Sequence, residues 1–290
     1  MLLLQLLING LQVGAQYALI AVGFSLIFGS TKVFHFAHGS AFTIAAYVFY
    51  YTYSVAHIHW LPAILAATFA AVLFGILLDR FVYAPIQAHE GSFFTLFVAS
   101  FGIGIVVQNV IGMIFGRSFV SVATPLSRSI EIVSGLYVSP LSGIAIVVAL
   151  LFFFGLQFFL MHTHVGMGLR ALSENPELIR AYGLSPRRLS TIVFALGSLL
   201  VVPAAILSSA GAGLDPAIGH HVMLISLAAT IVGGVGSLRG AACAGLLLGM
   251  AENLALLHFE PQWSEAVTFI VLFLFILFRP SGFFGRAIAS

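Results

Sequence analysis

The chain has 290 residues, 61% of them hydrophobic and 7% charged, with a mean hydropathy of +1.13. Soluble domains are about a quarter charged, so this composition belongs in a bilayer. A net charge of +2 is too small to argue for nucleic acid, and a single cysteine, Cys243, excludes an intrachain disulfide framework or a multi-cysteine metal site.

Leu2 to Phe28 is long enough to cross a membrane and carries a polar stripe, Asn9, Gln12 and Gln16. Such a stripe faces protein rather than lipid, as a helix–helix hydrogen-bonding face or a pathway lining. The segment is not a cleavable signal peptide, because it has no basic leader and runs into further apolar sequence. Gly29 to Gly39, G-S-T-K-V-F-H-F-A-H-G, interrupts the run. Two readings stay open here: a cytoplasmic turn at Lys32, or a broken helix hinged at Gly29 and Gly39 whose unwound backbone lines a cavity.

Apolar sequence resumes to Tyr53, and Leu61 to Leu78 is the next span, ended by Asp79 and Arg80. Phe93 to Phe115 crosses again with Gln108 and Asn109 inside it, and residues 116–140 form a polar connector. Leu141 to Leu160 leads to a central polar loop, and Leu189 to Ala210 leaves it, with Pro203 as an expected kink. After a turn-rich loop, Gly211 to His221, come Val222 to Val235, Ala241 to Leu257 and Ala266 to Phe278.

The central loop, residues 166–188, holds Arg170, Glu174, Glu177, Arg180, Arg187 and Arg188. It carries its own helix punctuation. Asn175 suits an N-cap, Pro176 the first helical position and Glu177 the positive end of the dipole. Gly183 suits a C-terminal stop, and Ser185–Pro186 starts the following helix. A short helix of about two turns is therefore expected inside the loop, with Leu178, Ile179 and Tyr182 near one face. A free loop does not need caps, so this segment is expected to dock something.

The central loop and the C-terminus are the most basic ends, which places both in the cytoplasm. The expected fold is an all-α polytopic transmembrane bundle of about eight to nine spans, a single domain over residues 1–290. A broken second helix or a half-span at Val222 to Val235 changes the count.

Gly233 to Gly240, G-G-V-G-S-L-R-G, is not a phosphate-binding P-loop, and no strand precedes it. Gly233, Gly234, Gly236 and Gly240 read instead as a tight turn between closely packed spans, and Gly245 with Gly249 as a small-residue packing face. No Walker motif is present, so transport driven by ATP needs another chain to hydrolyse it. None of the close histidine sets has a tetrahedral ligand pattern with cysteine or carboxylate, so no metal site is expected. His35 and His38, in the break before the second span, serve a path or a packing role. Glu252 is the best ionisable residue inside a span, as a hydrogen-bond hub facing Gln or Asn on a neighbour or as a path residue. No acidic chain crosses several spans, no channel filter repeats, and no catalytic set stands out.

Several strings together resemble one family. Phe34 to Gly39, F-H-F-A-H-G, resembles the N-F-A-H-G box of branched-chain amino acid ABC transporter permeases of the LivH type. Asn9-Gly10 through Tyr17 to Gly23 resembles their first helix, and Gly168 to Leu184 resembles their cytoplasmic coupling loop. Ile231 to Ala241 with Gly245 to Glu252 resembles their C-terminal glycine signature. The matches run in order along nearly the whole chain. One departure stands out: His35 occupies the place where the family box has Asn.

The resemblance implies a multi-pass permease subunit of a bacterial inner membrane, without an ATPase site of its own and with no cofactor. ATP would be bound by two ABC ATPase partners. A second homologous permease and a periplasmic or lipid-anchored solute-binding protein would complete the importer, the latter largely setting the substrate among branched-chain amino acids, urea, amides or other organic acids. Glu174, Asn175, Pro176, Glu177, Leu178, Arg180, Tyr182 and Gly183 would form the element an ATPase grips. His35, Phe36, Ala37, His38, Gly39 and Glu252 would line the path. The competing function is a stand-alone secondary carrier or channel for a small organic solute.

Overall fold

The structure, a computed structural model, describes residues 1–285 apart from 90, 134, 176–178 and 181–182. In chain order the helices are α1 (Leu2–Thr31), α2 (His38–Tyr50), α3 (Trp60–Leu78), α4 (Ala84–Ala88), α5 (Phe93–Phe115), α6 (Pro140–His162) and α7 (His164–Glu174), then α8 (Pro186–Gly211), α9 (Ile218–Gly233), α10 (Leu238–Ala255) and α11 (Ser264–Phe278). Two π-helical turns interrupt them. Tyr51–Val55 extends α2, and Asp79–Tyr83 joins α3 to α4.

Every apolar run of the sequence is helical. Among the described residues, six helical segments are long and apolar enough to cross a membrane: α1, α3 through α4, α5, α6, α8, and α11 with its leading turn. The pair α9 and α10 passes that test only jointly and is bent by 119°, a broken span or a re-entrant loop. By length and composition this is six spans, or seven with the bent pair as one. The count of eight to nine takes α2, α9 and α10 as separate crossings, although α2 has 13 residues plus its five-residue π turn and α9 has 16.

Burial sorts the helices. In α1 and α8, 67% and 56% of the apolar window is covered by protein, against 17% in α5 and 6% in the α11 segment. Exposed Phe69, Met113, Leu151 and Phe273 leave an apolar surface that only lipid or another membrane chain can cover. With no hydrophobic force between helices in lipid, close approach must hold the centre together, and small residues allow it. A Cβ on Gly249 would lie 2.3 Å from the backbone nitrogen of Gly14, and one on Gly245 would lie 2.5 Å from that of Ala18. So α1 and α10 pack backbone to backbone. Gly23 of α1 meets Gly197 of α8, and Gly75 of α3 meets Ser198.

The polar stripe on α1 faces protein. Ser142 of α6 donates to Gln12 at 2.5 Å, and the Gln5 amide donates to Tyr137 O (2.7 Å) and accepts from Tyr137 N (2.9 Å). Tyr137 belongs to a small antiparallel hairpin in the polar connector, β1 (Ile130–Val133) paired with β2 (Leu136–Val138), which the sequence reading did not expect.

Three other local readings change. The turn between α1 and α2 is made by Lys32, with φ 56°, while Gly29 and Gly39 are helical and serve close packing on Gly236 and Gly219. The first part of the central loop is helical: α7 is capped by Thr163, whose hydroxyl accepts from Gly166 N at 2.9 Å, and it buries Leu169 and Leu172. Gly166 and Gly168 hid it, since glycine argues against helix. Finally, His220 and His221 lie in the first turn of α9 and not in the preceding loop.

Candidate transport site: a broken helix, a buried carboxylate and a capped loop

The chain leaves α1 through Lys32 and runs unwound to His38. Unwound backbone in a membrane needs partners, and this stretch has them. Ser100 of α5 accepts from Phe36 N at 3.0 Å and donates to Phe34 O at 3.2 Å. His35 and His38 are fully buried. Nδ1 of His35 shares a hydrogen bond of 2.7 Å with the Tyr83 hydroxyl, and its ring packs edge-on against Tyr83 and Phe194. Nε2 of His38 lies 3.1 Å from Ile20 O. A carbonyl only accepts, so Nε2 carries the proton and Nδ1 is an acceptor. Among the described residues Nδ1 has no hydrogen-bond partner, and neither has Nε2 of His35. The His38 ring lies over Gly23, where a Cβ would come within 3.1 Å of its Cε1.

Ala37 is fully buried, and Gly39 crosses Gly219 so closely that a Cβ on either would meet the other's backbone. Phe36 differs from its neighbours in the box. Its ring contacts Phe97, Phe101 and His220, and it borders a cavity of about 10 Å³ with Ser40, Gln108 and His220. That space has room for about one water molecule and is too small for an amino acid.

Glu252 of α10 is 6% exposed and accepts hydrogen bonds from the Tyr17 hydroxyl (2.9 Å) and from Thr268 of α11. It is therefore a hub joining three helices, with tyrosine and threonine as partners in place of the expected Gln or Asn. Nearby, His221 and Glu265 lie 2.8 Å apart and half exposed, at the edge of the same small cleft.

Of the loop residues named from sequence, Pro176, Glu177, Leu178 and Tyr182 lie outside the described residues. Glu174 ends α7. Asn175 has extended backbone, as an N-cap requires, and its carbonyl accepts from Ile179 N at 3.4 Å. Ile179 is buried, whereas Glu174, Asn175, Arg180 and Gly183 are exposed. Gly183 has φ 77°, its N–H donates to Arg180 O (3.0 Å), and Leu184 N donates to Ile179 O (3.1 Å). That pair of bonds around a left-handed glycine is a Schellman stop. Ser185 then caps α8, accepting from Arg188 N. A cavity of about 270 Å³ opens between the ends of α1, α6 and α7 and the start of α10, with Arg170 and Arg239 among its walls.

The glycine turn after α9 is tight. A Cβ on Gly240 would lie 1.9 Å from Gly233 O, and Gly234 and Gly236 both have positive φ. The tail docks here: Phe283 N donates to Val232 O (2.9 Å) and Phe284 N to Gly233 O (3.0 Å). Gly29, at the end of α1, touches Gly236, so the tail and the end of α1 lie on one face of the bundle.

Asp79 was read from sequence only as the charged end of a span. It is 2% exposed and accepts from Ser190 (2.7 Å) and Thr191 (2.5 Å) at the start of α8. The available signal was an acidic residue directly following an apolar run, with hydroxyl residues just past the capped loop. Among the described residues no group of three or more His, Cys, Asp or Glu is placed to hold a metal.

Long apolar helices with exposed apolar sides and polar groups turned inward define a multi-pass membrane protein. The chain belongs to the family described as the branched-chain amino acid transport system permease component, whose profile matches residues 6–276. It is 30% identical to the high-affinity branched-chain amino acid transport system permease protein BraD of Pseudomonas aeruginosa, over 98% of this chain and 96% of that one. It is 26% identical to the LivH permease protein of the corresponding system in Escherichia coli K12, with the same coverage, and 25% identical to LivH of Salmonella typhimurium. The fold is similar to that of a solved chain described as PsaBC from Streptococcus pneumoniae in complex with Fab. The TM-score is 0.56 at 14% identity, covering 97% of this chain and 92% of that one, a likeness of fold alone.

Proposed function

We propose that this chain is the permease subunit of a binding-protein-dependent ABC importer for branched-chain or related amino acids in a bacterial inner membrane. It pairs with a second homologous permease and two ATPases, and takes substrate from a periplasmic or lipid-anchored binding protein. It has no ATPase site or cofactor of its own; ATP is bound and hydrolysed on the partners. The observation that carries the reading is the family match across residues 6–276, joined by relatives named as branched-chain amino acid permeases over nearly the full chain.

Loop 166–188 and the C-terminus face the cytoplasm in this reading, in keeping with their basic residues. The segment from Glu174 to Gly183 is what an ATPase grips. Substrate passes between two permease chains, in keeping with the cavity beside Phe36, which has room only for water. His35 to Gly39 form the movable wall of that path, and Glu252 braces the helices behind it.

The test is reconstitution of the chain with its ATPases, second permease and binding protein in liposomes, with labelled leucine, isoleucine and valine as probes. Uptake that requires both ATP and the binding protein is the expected result. Uptake by the chain alone along a gradient would make it a stand-alone carrier.

A further inference from the structure

The π-helical turn Asp79–Tyr83 touches two distant parts of the chain at once. At its first residue, the buried Asp79 carboxylate accepts from Ser190 and Thr191, which follow loop 166–188 by two and three residues. At its last residue, the buried Tyr83 hydroxyl bonds His35 in the unwound segment. Between them stands Phe194, fully buried, one turn beyond Ser190 on α8. Its ring stacks on Tyr83 (5.2 Å between centroids) and meets His35 edge-on (5.1 Å). One face of α8 thus contacts both ends of the turn and the broken segment. From His35 the contact continues to the His38 ring, 5.7 Å away, which is bonded to α1 at Ile20.

Packing alone does not account for this arrangement. An apolar residue in place of Asp79 would be cheaper to bury than a carboxylate held by two neutral hydroxyls. Among the described residues no lysine, arginine or histidine forms an ion pair with it. The turn itself departs from α geometry, with Ala84 N donating to Asp79 O across five residues. Such single π turns often mark functional sites in helices.

We infer that Asp79 and Tyr83 are positioning residues that tie the start of α8 to the broken segment. Movement imposed on loop 166–188 is thereby delivered to His35 and to the cavity beside Phe36. The inference rests on the proposed function, in which ATPases grip that loop. The coupling runs through discrete hydrogen bonds beside the ring contacts of Phe194, so cutting one bond weakens the link without removing either end.

The experiment uses the assembled transporter carrying Cys243→Ser and a reporter, Ser40→Cys, at the cavity wall. N-ethylmaleimide labelling of the reporter is compared with and without ATP plus vanadate, beside ATP hydrolysis by the same preparation. With Asp79 and Tyr83 intact, nucleotide should change the labelling rate by about fivefold or more. In Asp79→Asn and in Tyr83→Phe hydrolysis should persist while that change falls severalfold. Where Asp79→Asn does not assemble, Tyr83→Phe decides, since it keeps the ring and removes only the hydroxyl. A full nucleotide-dependent change in Tyr83→Phe overturns the inference, as does a reporter that never responds in an assembly that hydrolyses ATP. An assembly that does not form or does not hydrolyse ATP with the native residues refutes the proposed function instead.

Discussion

Single residues in the centre of this bundle are constrained by backbone contact more than by side-chain packing. Gly249 of α10 meets the backbone of Gly14, which has no rotamer with which to yield. Gly249→Val should therefore force α1 and α10 apart and cost about 1–3 kcal/mol or more, read as a lower melting temperature in detergent. An unchanged melting temperature would show that the two helices separate freely. Glu252 makes a second residue-scale test. Glu252→Leu strands the Tyr17 hydroxyl and Thr268, at about 1–3 kcal/mol for a buried unsatisfied group, whereas Glu252→Gln retains an acceptor and should cost less. Equal melting temperatures for the two variants would refute the hub. Gly245 and Gly249 were legible from their four-residue spacing, because close approach in lipid demands small residues. The partners of Glu252 were not, since nothing in a one-dimensional pattern says which neighbour's tyrosine will arrive.

At the scale of elements, the loop between α7 and α8 is built from terminators. Its Schellman stop depends on Gly183 at φ 77°, a conformation that costs a side-chain-bearing residue about 1–2 kcal/mol. Gly183→Val should loosen the turn, and the amount of ATPase retained with the permease on purification should fall. Full retention would mean that the stop has no part in docking. Glu177→Ala combined with Arg180→Ala should leave ATP hydrolysis running while transport falls, and undiminished transport would count against the loop as coupling element. Caps carry their meaning in residue type, which is why Gly183 and Ser185 were readable. Helix α7 was not, because two glycines masked an amphipathic turn that tertiary packing on α6 and α8 supplies. The turn at Lys32 was one of two readings open in the sequence, because the flanking glycines looked equally like hinges; their small size is used for packing instead. The hairpin and the Asp79 clasp depend on contacts between residues 111 or more positions apart or in a polar connector with weak periodicity, and so left little trace in the chain.

At the scale of the whole molecule, small-residue seams at the centre and a large apolar exterior describe a helical chain packed for a membrane. The tail shows how the ends are secured. Its bonds to Val232 and Gly233 hold the turn between α9 and α10, and deletion of residues 279–290 should lower the melting temperature of the isolated chain. No change would mean the glycine turn stands without the tail. The all-helical membrane architecture followed from composition, and the family from strings scattered along the chain. The number of full crossings did not follow, because an apolar run such as α9 forms a helix without reaching the length of a bilayer.

The central claim is that this permease works inside an ATP-driven assembly. Affinity purification of the chain from its native membrane, with every co-purifying protein identified by mass, tests it most directly. The account predicts two ATP-hydrolysing subunits carrying Walker motifs together with a second permease. Recovery of the chain alone, or only with copies of itself, would contradict the account and leave a gradient-driven carrier in its place.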